Sequence, residues 1–427
     1  MKSFCFKVLF LICASSLLFR CASREEKTPA SSQIEITFFT MQLRPTFDDY
    51  FLSLFSEFEN SRPNVKIKWM DYPAQDYDTK LLTSFMGKNP PDVINIAPQS
   101  LPTYVSRQTV LPLEDLVARE VLDSYFSNIM QNACQFEGRT YAAPWYLATG
   151  VTMCNMKIFR EAGLSEKDIP RSYQEMRGVA RIIREKTDKF AYFPVYTEAG
   201  ALKGYLSEAG VPLLDPTGKE AVFHTPKGVE VFKFWSDFYK DGLAPSEALT
   251  AMHRDPIEMY KSGRLAIFHS GPQFLKHVKA DSPDVYQNTV VRSKLLWDDY
   301  ETYGVDAHIL AISAKSDHPE LAAEFAAFVT NAENQLKFCK LTTIIPSVVK
   351  ATEDPYFTNV EDTPEGQARK IAAFQVKNGT LLPTPSKNSG KLFREMDKMT
   401  EQVCLGNLTP EEGLKQLQDK WNEILKE

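Results

Sequence analysis

Six histidines and seven cysteines are the residues of this chain that could ligate a metal or act as nucleophile and base. Their spacing offers neither role. His253, His269 and His277 stand apart, and Cys134, Cys154, Cys339 and Cys404 are widely separated with no CxxC pair, so they read as single buried thiols. No GxxxxGK[ST], HExxH or GxSxG run is present, and Gly200-Ala201-Leu202-Lys203-Gly204 does not fit the glycine-rich dinucleotide fingerprint. Asp298 and Asp299 are a carboxylate pair, but adjacent residues do not flank one glycosidic bond at the required separation, and a solvated turn is expected there. No metal, cofactor or catalytic group follows from these residues. The side chains left are suited to hydrogen bonding: Gln42, Gln99 and Asp76, each beside the end of an expected element.

Those elements alternate. Ile34 to Phe39 reads as a strand; Phe47, Phe51, Leu54, Phe55 and Phe58 fall at helical spacing, with Thr46 as the expected cap and Asp49 three residues on. Val65 to Trp69 alternates as a second strand, Tyr77 to Met86 is a second helix closed by Gly87, and Val93 to Ala97 is an apolar third strand. Strand, helix, strand, helix, strand at this spacing predicts a parallel, doubly wound α/β sheet. Ligand crevices in such sheets lie beyond the carboxyl ends of the strands, which places Gln42 and Gln99 at a crevice edge. Asp76 is either a ligand contact or the cap of the second helix. Ser172 to Arg184, Thr225 to Tyr239, Glu320 to Val329 and Thr409 to Leu425 are further helices, and Leu265 to Phe268 and His308 to Ile312 short strands.

The 427 residues are 43% hydrophobic and 24% charged, enough for a sizeable core in two or three domains and unlike a disordered chain. A net charge of −6 argues against broad binding to nucleic acid. Lys2 and Lys7 precede Val8 to Phe19, which is apolar but for Ser15 and Ser16: too short for a membrane span, and right for an export signal. Residues 1–20 are therefore read as a signal peptide and 21–33 as a polar tether. Cys21 after that signal resembles the bacterial lipoprotein box, which implies a lipid on its sulfur. Arg20 departs from the small residue that box carries before its cysteine, and cleavage after Ser23 is the other reading. Both predict an exported protein.

From Ile34 onward the chain resembles the bacterial extracellular solute-binding proteins of carbohydrate ABC transporters, the family that includes maltose-binding protein. The resemblance rests on ordered segments, among them Pro90-Pro91-Asp92-Val93, Leu111-Pro112-Leu113, Gly138 to Pro144, Asn155-Met156-Lys157, Asp241 to Pro245, Lys261 to Ala266, Leu310 to Ser313 and Thr409-Pro410-Glu411-Glu412. There are departures at Met153-Cys154, at Asp306-Ala307 and at Gln273 after Gly271-Pro272, where relatives often carry a tyrosine pair, two glycines and a tryptophan.

The resemblance implies an α/β, two-lobed periplasmic-binding-protein fold whose hinge the chain crosses three times. The expected lobes are 34–147 with 305–346, and 148–304 with 347–427. It implies no enzyme and no cofactor, but a monomeric receptor that traps a carbohydrate between its lobes and hands it to a permease. A sugar presents an apolar face and a rim of hydroxyls, which call for a flat aromatic ring and planar hydrogen-bonding groups. Near the implied crossings, Trp145 and Tyr146 are the expected aromatics, Gln273 and Phe274 the contacts from the second lobe, and Asp306 and His308 the pair at the second crossing. The alternatives are an anionic or polyol solute of the glycerol-3-phosphate type, for which Arg44 and Lys387 would supply charge, and an exported glycan hydrolase.

Overall fold

A computed structural model of the chain describes residues 33–87, 90–215, 217–300, 302–381 and 388–427. The export signal, Cys21 and all of the tether but Gln33 lie outside the described residues, as does Lys387.

The first half-sheet follows the expected alternation: β1 (Ile34–Met41), α1 (Asp48–Asn60), β2 (Val65–Tyr72), α2 (Ala74–Met86) and β3 (Val93–Ile96). β1 pairs in parallel with β2 and with β3, and all four residues of β3 are buried, as a strand covered on both faces requires. The chain then runs through β4 (Ala142–Ala148), crosses at Thr149-Gly150 and enters a second sheet as β5 (Val151–Asn155). That lobe continues with α3 (Tyr173–Lys186), β6 (Phe190–Tyr192), α4 (Leu202–Glu208), α5 (Pro226–Lys240), β7 (Leu265–Ser270), α6 (Phe274–Asp281) and β8 (Thr289–Arg292). β9 (Tyr303–Ile312) returns to the first lobe, which adds α7 (Pro319–Val329), α8 (Ala332–Leu341) and β10 (Ile345–Pro346). The last elements are α9 (Pro364–Lys377), β11 (Gly379–Leu381), α10 (Ser389–Cys404) and α11 (Pro410–Leu425). The N-lobe sheet has the order β10-β4-β9-β3-β1-β2, with β11 beside β9, and the C-lobe sheet β8-β5-β7-β6.

Each lobe closes around its own aromatic core. Phe38, Phe51, Phe55, Trp145, Phe325 and Phe338 interlock in the N-lobe, and Tyr173, Trp235, Phe234 and Trp297 in the C-lobe. The helices start where short polar side chains predict. Ser172 accepts from the Glu175 N–H at 3.1 Å, Thr225 from Gly228 at 3.0 Å, and Thr409 forms a reciprocal capping box with Glu412. At α1 the expected Thr46 cap is not used. Phe47 occupies the cap position without a side-chain bond, because Asp71 holds the backbone N–H groups of Leu43 and Arg44 and turns the chain before it reaches the helix.

Two lobe boundaries differ from those expected. The first-lobe segment of β9 begins at Tyr303 rather than at 305, since Tyr303 already pairs with Gly379. The third crossing does not fall at 346/347: Val348, Ala351, Phe357, Ala372 and Val376 pack in the N-lobe core. The chain leaves that lobe only after Leu381. The reason is α9, whose small residues let both lobes pack on it, Ala368 in the C-lobe core and Ala372 in the N-lobe core. Cys134, Cys154, Cys339 and Cys404 are buried free thiols.

Candidate binding cleft

Strand direction brings the business ends of both sheets to the crossings. β4 and β9 are antiparallel with Ala148 opposite Asp306, and β9 is antiparallel to β3 with Ile309 opposite Ile96. The carboxyl ends of β3 and of its parallel neighbour β1 therefore point toward the hinge. In the other lobe Ser270, the last residue of β7, pairs with Val151, the first of β5, so β7 and its parallel neighbour β6 also end there. Gln42 and Gln99 are exposed on one wall, and Gly271 to Phe274 stand on the other. A gap of about 590 Å3 separates the walls, lined by Thr46 and Phe47 from the N-lobe, Pro272, Gln273 and His277 from the C-lobe, and Ile345.

β9 and β4 run side by side where the chain crosses between the lobes. Alternation along β9 sends Ala307 into the N-lobe core, while Asp306 and His308 share the opposite face. The His308 ring stacks on Tyr146 with centroids 4.8 Å apart. The Asn95 amide nitrogen lies 3.2 Å from His308 Nδ1. Burial holds the imidazole pKa down at about 4, so the ring is neutral at ordinary pH. Asp306 is open to solvent yet surrounded by protein, as a residue at the bottom of a crevice is. That burial raises its pKa, with Lys294 and Lys203 pulling the other way.

Facing groups come from the C-lobe. Lys203 at the start of α4 donates to the Ala199 carbonyl at 2.7 Å and lies 4.6 Å over the Phe393 ring. Asp397, one turn along α10 from Phe393, accepts from the Gly200 N–H at 2.9 Å. Gly200 has φ +68°, and a Cβ there would meet the Phe393 ring at 2.9 Å, so conformation and space both require glycine. On the N-lobe wall Asp71 fixes the loop after β1, accepting from Thr40 Oγ1 at 2.6 Å and from the N–H groups of Leu43 and Arg44. A second, wider crevice of about 970 Å3 runs between the C-lobe and the start of β9, past Arg171, Arg292, Lys294 and Trp297. Two of its cations are already engaged, Arg292 by Glu166 and Lys294 by Glu208.

Of the expected site residues, Tyr146 and His308 stack beside Asp306 at the crossing strands, Gln273 lines the gap, and Gln42 and Gln99 are exposed on the loops after β1 and β3. Trp145 is a correction. It is fully buried against Phe38 at 5.8 Å and Phe338 at 5.9 Å, because neighbours on a strand point to opposite faces and only Tyr146 can turn toward the cleft. Phe274 is half-buried with its ring edge-on to Phe268 at 5.8 Å, so its face is spent on packing the C-lobe. Asp76 is exposed in the first turn of α2 and makes no cap bond, Pro73 holding that position. Arg44 is engaged by Asp48 and lies 4.7 Å over Trp69, so its charge is not offered to the cleft.

His253 pairs with Glu198, His269 is half-buried on β7, and Asp299 pairs with Lys227. Among the described residues no group of three His, Cys, Asp or Glu side chains could hold a metal, and no helix is long and apolar enough to cross a membrane. Sequence reasoning missed Lys203, Phe393 and Asp397. Lys203 lies in the stretch 200–204, which carried no signal beyond failing the dinucleotide fingerprint; nothing local marks Asp397, whose partner Gly200 is almost two hundred residues away.

The chain matches the family described as bacterial extracellular solute-binding protein over residues 44–336. It is 24% identical over 342 residues to the diacetylchitobiose binding protein DasA of Streptomyces coelicolor, covering 79% of this chain and 77% of that one. Among solved structures, a periplasmic-binding protein from Synechococcus sp. MITs9220 superposes with a TM-score of 0.81 at 27% identity, covering 92% and 99% of the two chains. The sugar-binding protein MalE of Xanthomonas citri superposes with a TM-score of 0.80 at 21% identity, covering 92% and 97%. Two sheets joined by crossing segments, with their strand ends converging on one gap and a sequence match over most of that framework, have one explanation: the chain belongs to the bacterial extracellular solute-binding proteins.

Proposed function

We propose that the protein captures a carbohydrate between its lobes and delivers it to the transmembrane permease of an ABC importer, altering no bond. The observation that carries this reading is the face of β9 and β4 at the lobe crossings, where the exposed carboxylate of Asp306, the neutral imidazole of His308 and the ring of Tyr146 stand side by side. Acceptors and donors beside a flat ring suit the hydroxyl rim and apolar face of a sugar. Two of the similar proteins named above are described as binding saccharides. Solute favours closure only through its greater affinity for the closed form, which is the form the permease would read.

The same reading takes residues 1–20 as an export signal and Cys21 as a lipidated first residue, tethering a monomer to the membrane through residues 21–33. It treats Tyr146, Gln42, Gln99, Gln273, Asp306 and His308 as contacts. An anionic solute is the weaker alternative, since Arg44 is taken by Asp48. Thermal-shift screening of the exported chain against mono- and oligosaccharides, polyols and glycerol 3-phosphate tests it. A saccharide that raises Tm supports the proposal; stabilisation by glycerol 3-phosphate alone, or by no solute in a well-folded sample, refutes it.

A further inference from the structure

We infer that Asp306 and His308 act as one acceptor–donor pair, the Asp306 carboxylate accepting from one hydroxyl of the solute and His308 Nε2–H donating to its neighbour. The inference rests on the saccharide reading and says which residues decide which sugar enters.

The tautomer follows from Asn95. Its Nδ2 lies 3.4 Å from the Ile309 carbonyl, a group that only accepts, so the amide is oriented with nitrogen toward β9. That nitrogen only donates, so His308 Nδ1, 3.2 Å away, is the acceptor and the ring proton sits on Nε2. Among the described residues nothing partners Nε2, and it is not among the sealed, unpartnered atoms, so it is open to a ligand. Asp306 likewise has no hydrogen-bond partner among the described residues, and it is exposed. A carboxylate that open, with its lone pairs unused, offers only acceptors.

Their spacing suits a pair of hydroxyls. Residues two apart on a strand lie on one face about 6.6–6.8 Å apart, and groups at that separation can each sit about 2.8 Å from one of two adjacent oxygens. The pair is also held in place. Tyr146 covers one face of the imidazole, Asn95 holds its inner edge, and the backbone of Asp306 to His308 is paired with β4. Little ordering is left to do when the solute arrives, which favours affinity.

The test uses the exported full-length chain and calorimetric titration with diacetylchitobiose, maltotriose, arabinotriose and glycerol 3-phosphate. The variants are Asp306→Asn and His308→Phe, the second keeping a ring on Tyr146 while removing the donor. The expected result is that the saccharide bound by the wild type loses about 10- to 100-fold in affinity in each variant. His308→Gln, which restores an N–H, should recover part of the loss. Imidazole 15N spectra of the unliganded chain at pH 7 should place the His308 proton on Nε2, a readout that does not depend on how well a variant folds. A proton on Nδ1, or a saccharide bound equally by wild type and both variants, overturns the inference and leaves the carbohydrate reading standing. Binding of no saccharide by the wild type overturns both.

Discussion

Gln375 is the side chain whose replacement tests the hinge most directly. It is fully buried on α9. Its Nε2 donates to the Gly150 carbonyl at 2.8 Å and to Thr149 Oγ1 at 3.2 Å, and its Oε1 accepts from the Lys294 N–H at 2.7 Å. Thr149 Oγ1 donates in turn to the Gly304 carbonyl at 3.0 Å. One amide thus ties the first crossing, the entry to the second and the helix ahead of the third. Gln375→Leu keeps the approximate volume and removes every one of those bonds. It leaves the Lys294 N–H and the Gly150 carbonyl without their partner at a part-buried site, at about 1–3 kcal/mol each. The expected loss is about 2–5 kcal/mol, which at roughly 2 °C per kcal/mol for a chain of this size lowers Tm by about 4–10 °C. Urea unfolding followed by circular dichroism gives the free energy and scanning fluorimetry the Tm. Gln287→Leu, an exposed glutamine without a hydrogen bond, is the control and should move neither. A loss below about 1 kcal/mol for Gln375→Leu would mean that the hinge segments are held by packing alone, and the account of the amide would be wrong.

Trp145→Ala should cost about 3–5 kcal/mol, the range for emptying a large aromatic from a core, in urea titration; a loss near zero would put Trp145 on the cleft surface after all. Stability should fall as pH drops from about 6.5 toward 4. His308 and His269 stay neutral in the folded chain while their unfolded counterparts take up protons, so the unfolded state binds more. Each contributes up to about 1.4 kcal/mol per pH unit in that window, and His308→Phe should flatten the slope of urea stability against pH. Thr409→Ala removes the reciprocal cap at the start of α11 and should cost about 1 kcal/mol. An unchanged midpoint in urea would count against the cap.

Local signals in the chain were enough for the first sheet. Alternating apolar residues at 34–39 and 65–69 and the buried run at 93–97 became β1, β2 and β3, with parallel pairing. Ser172, Thr225 and Thr409 begin helices as their side chains predict, because a cap is a bond to the residue's own backbone neighbours. Thr46 was misjudged for the complementary reason: Asp71, from the next strand, had already captured the loop.

What the sequence by itself determined is therefore the alternation of strands and helices and the family to which the ordered segments belong. Tertiary structure alone decided that Trp145 is buried in the N-lobe core while Tyr146 stacks on His308, that α9 serves both lobes and delays the last crossing, and that Lys203 comes within electrostatic reach of Asp306. The first set depends on contacts between near neighbours, which periodicity and caps record. The second depends on which face of a strand is covered and on side chains brought together from distant parts of the chain, and those pairings exist only once the lobes have packed.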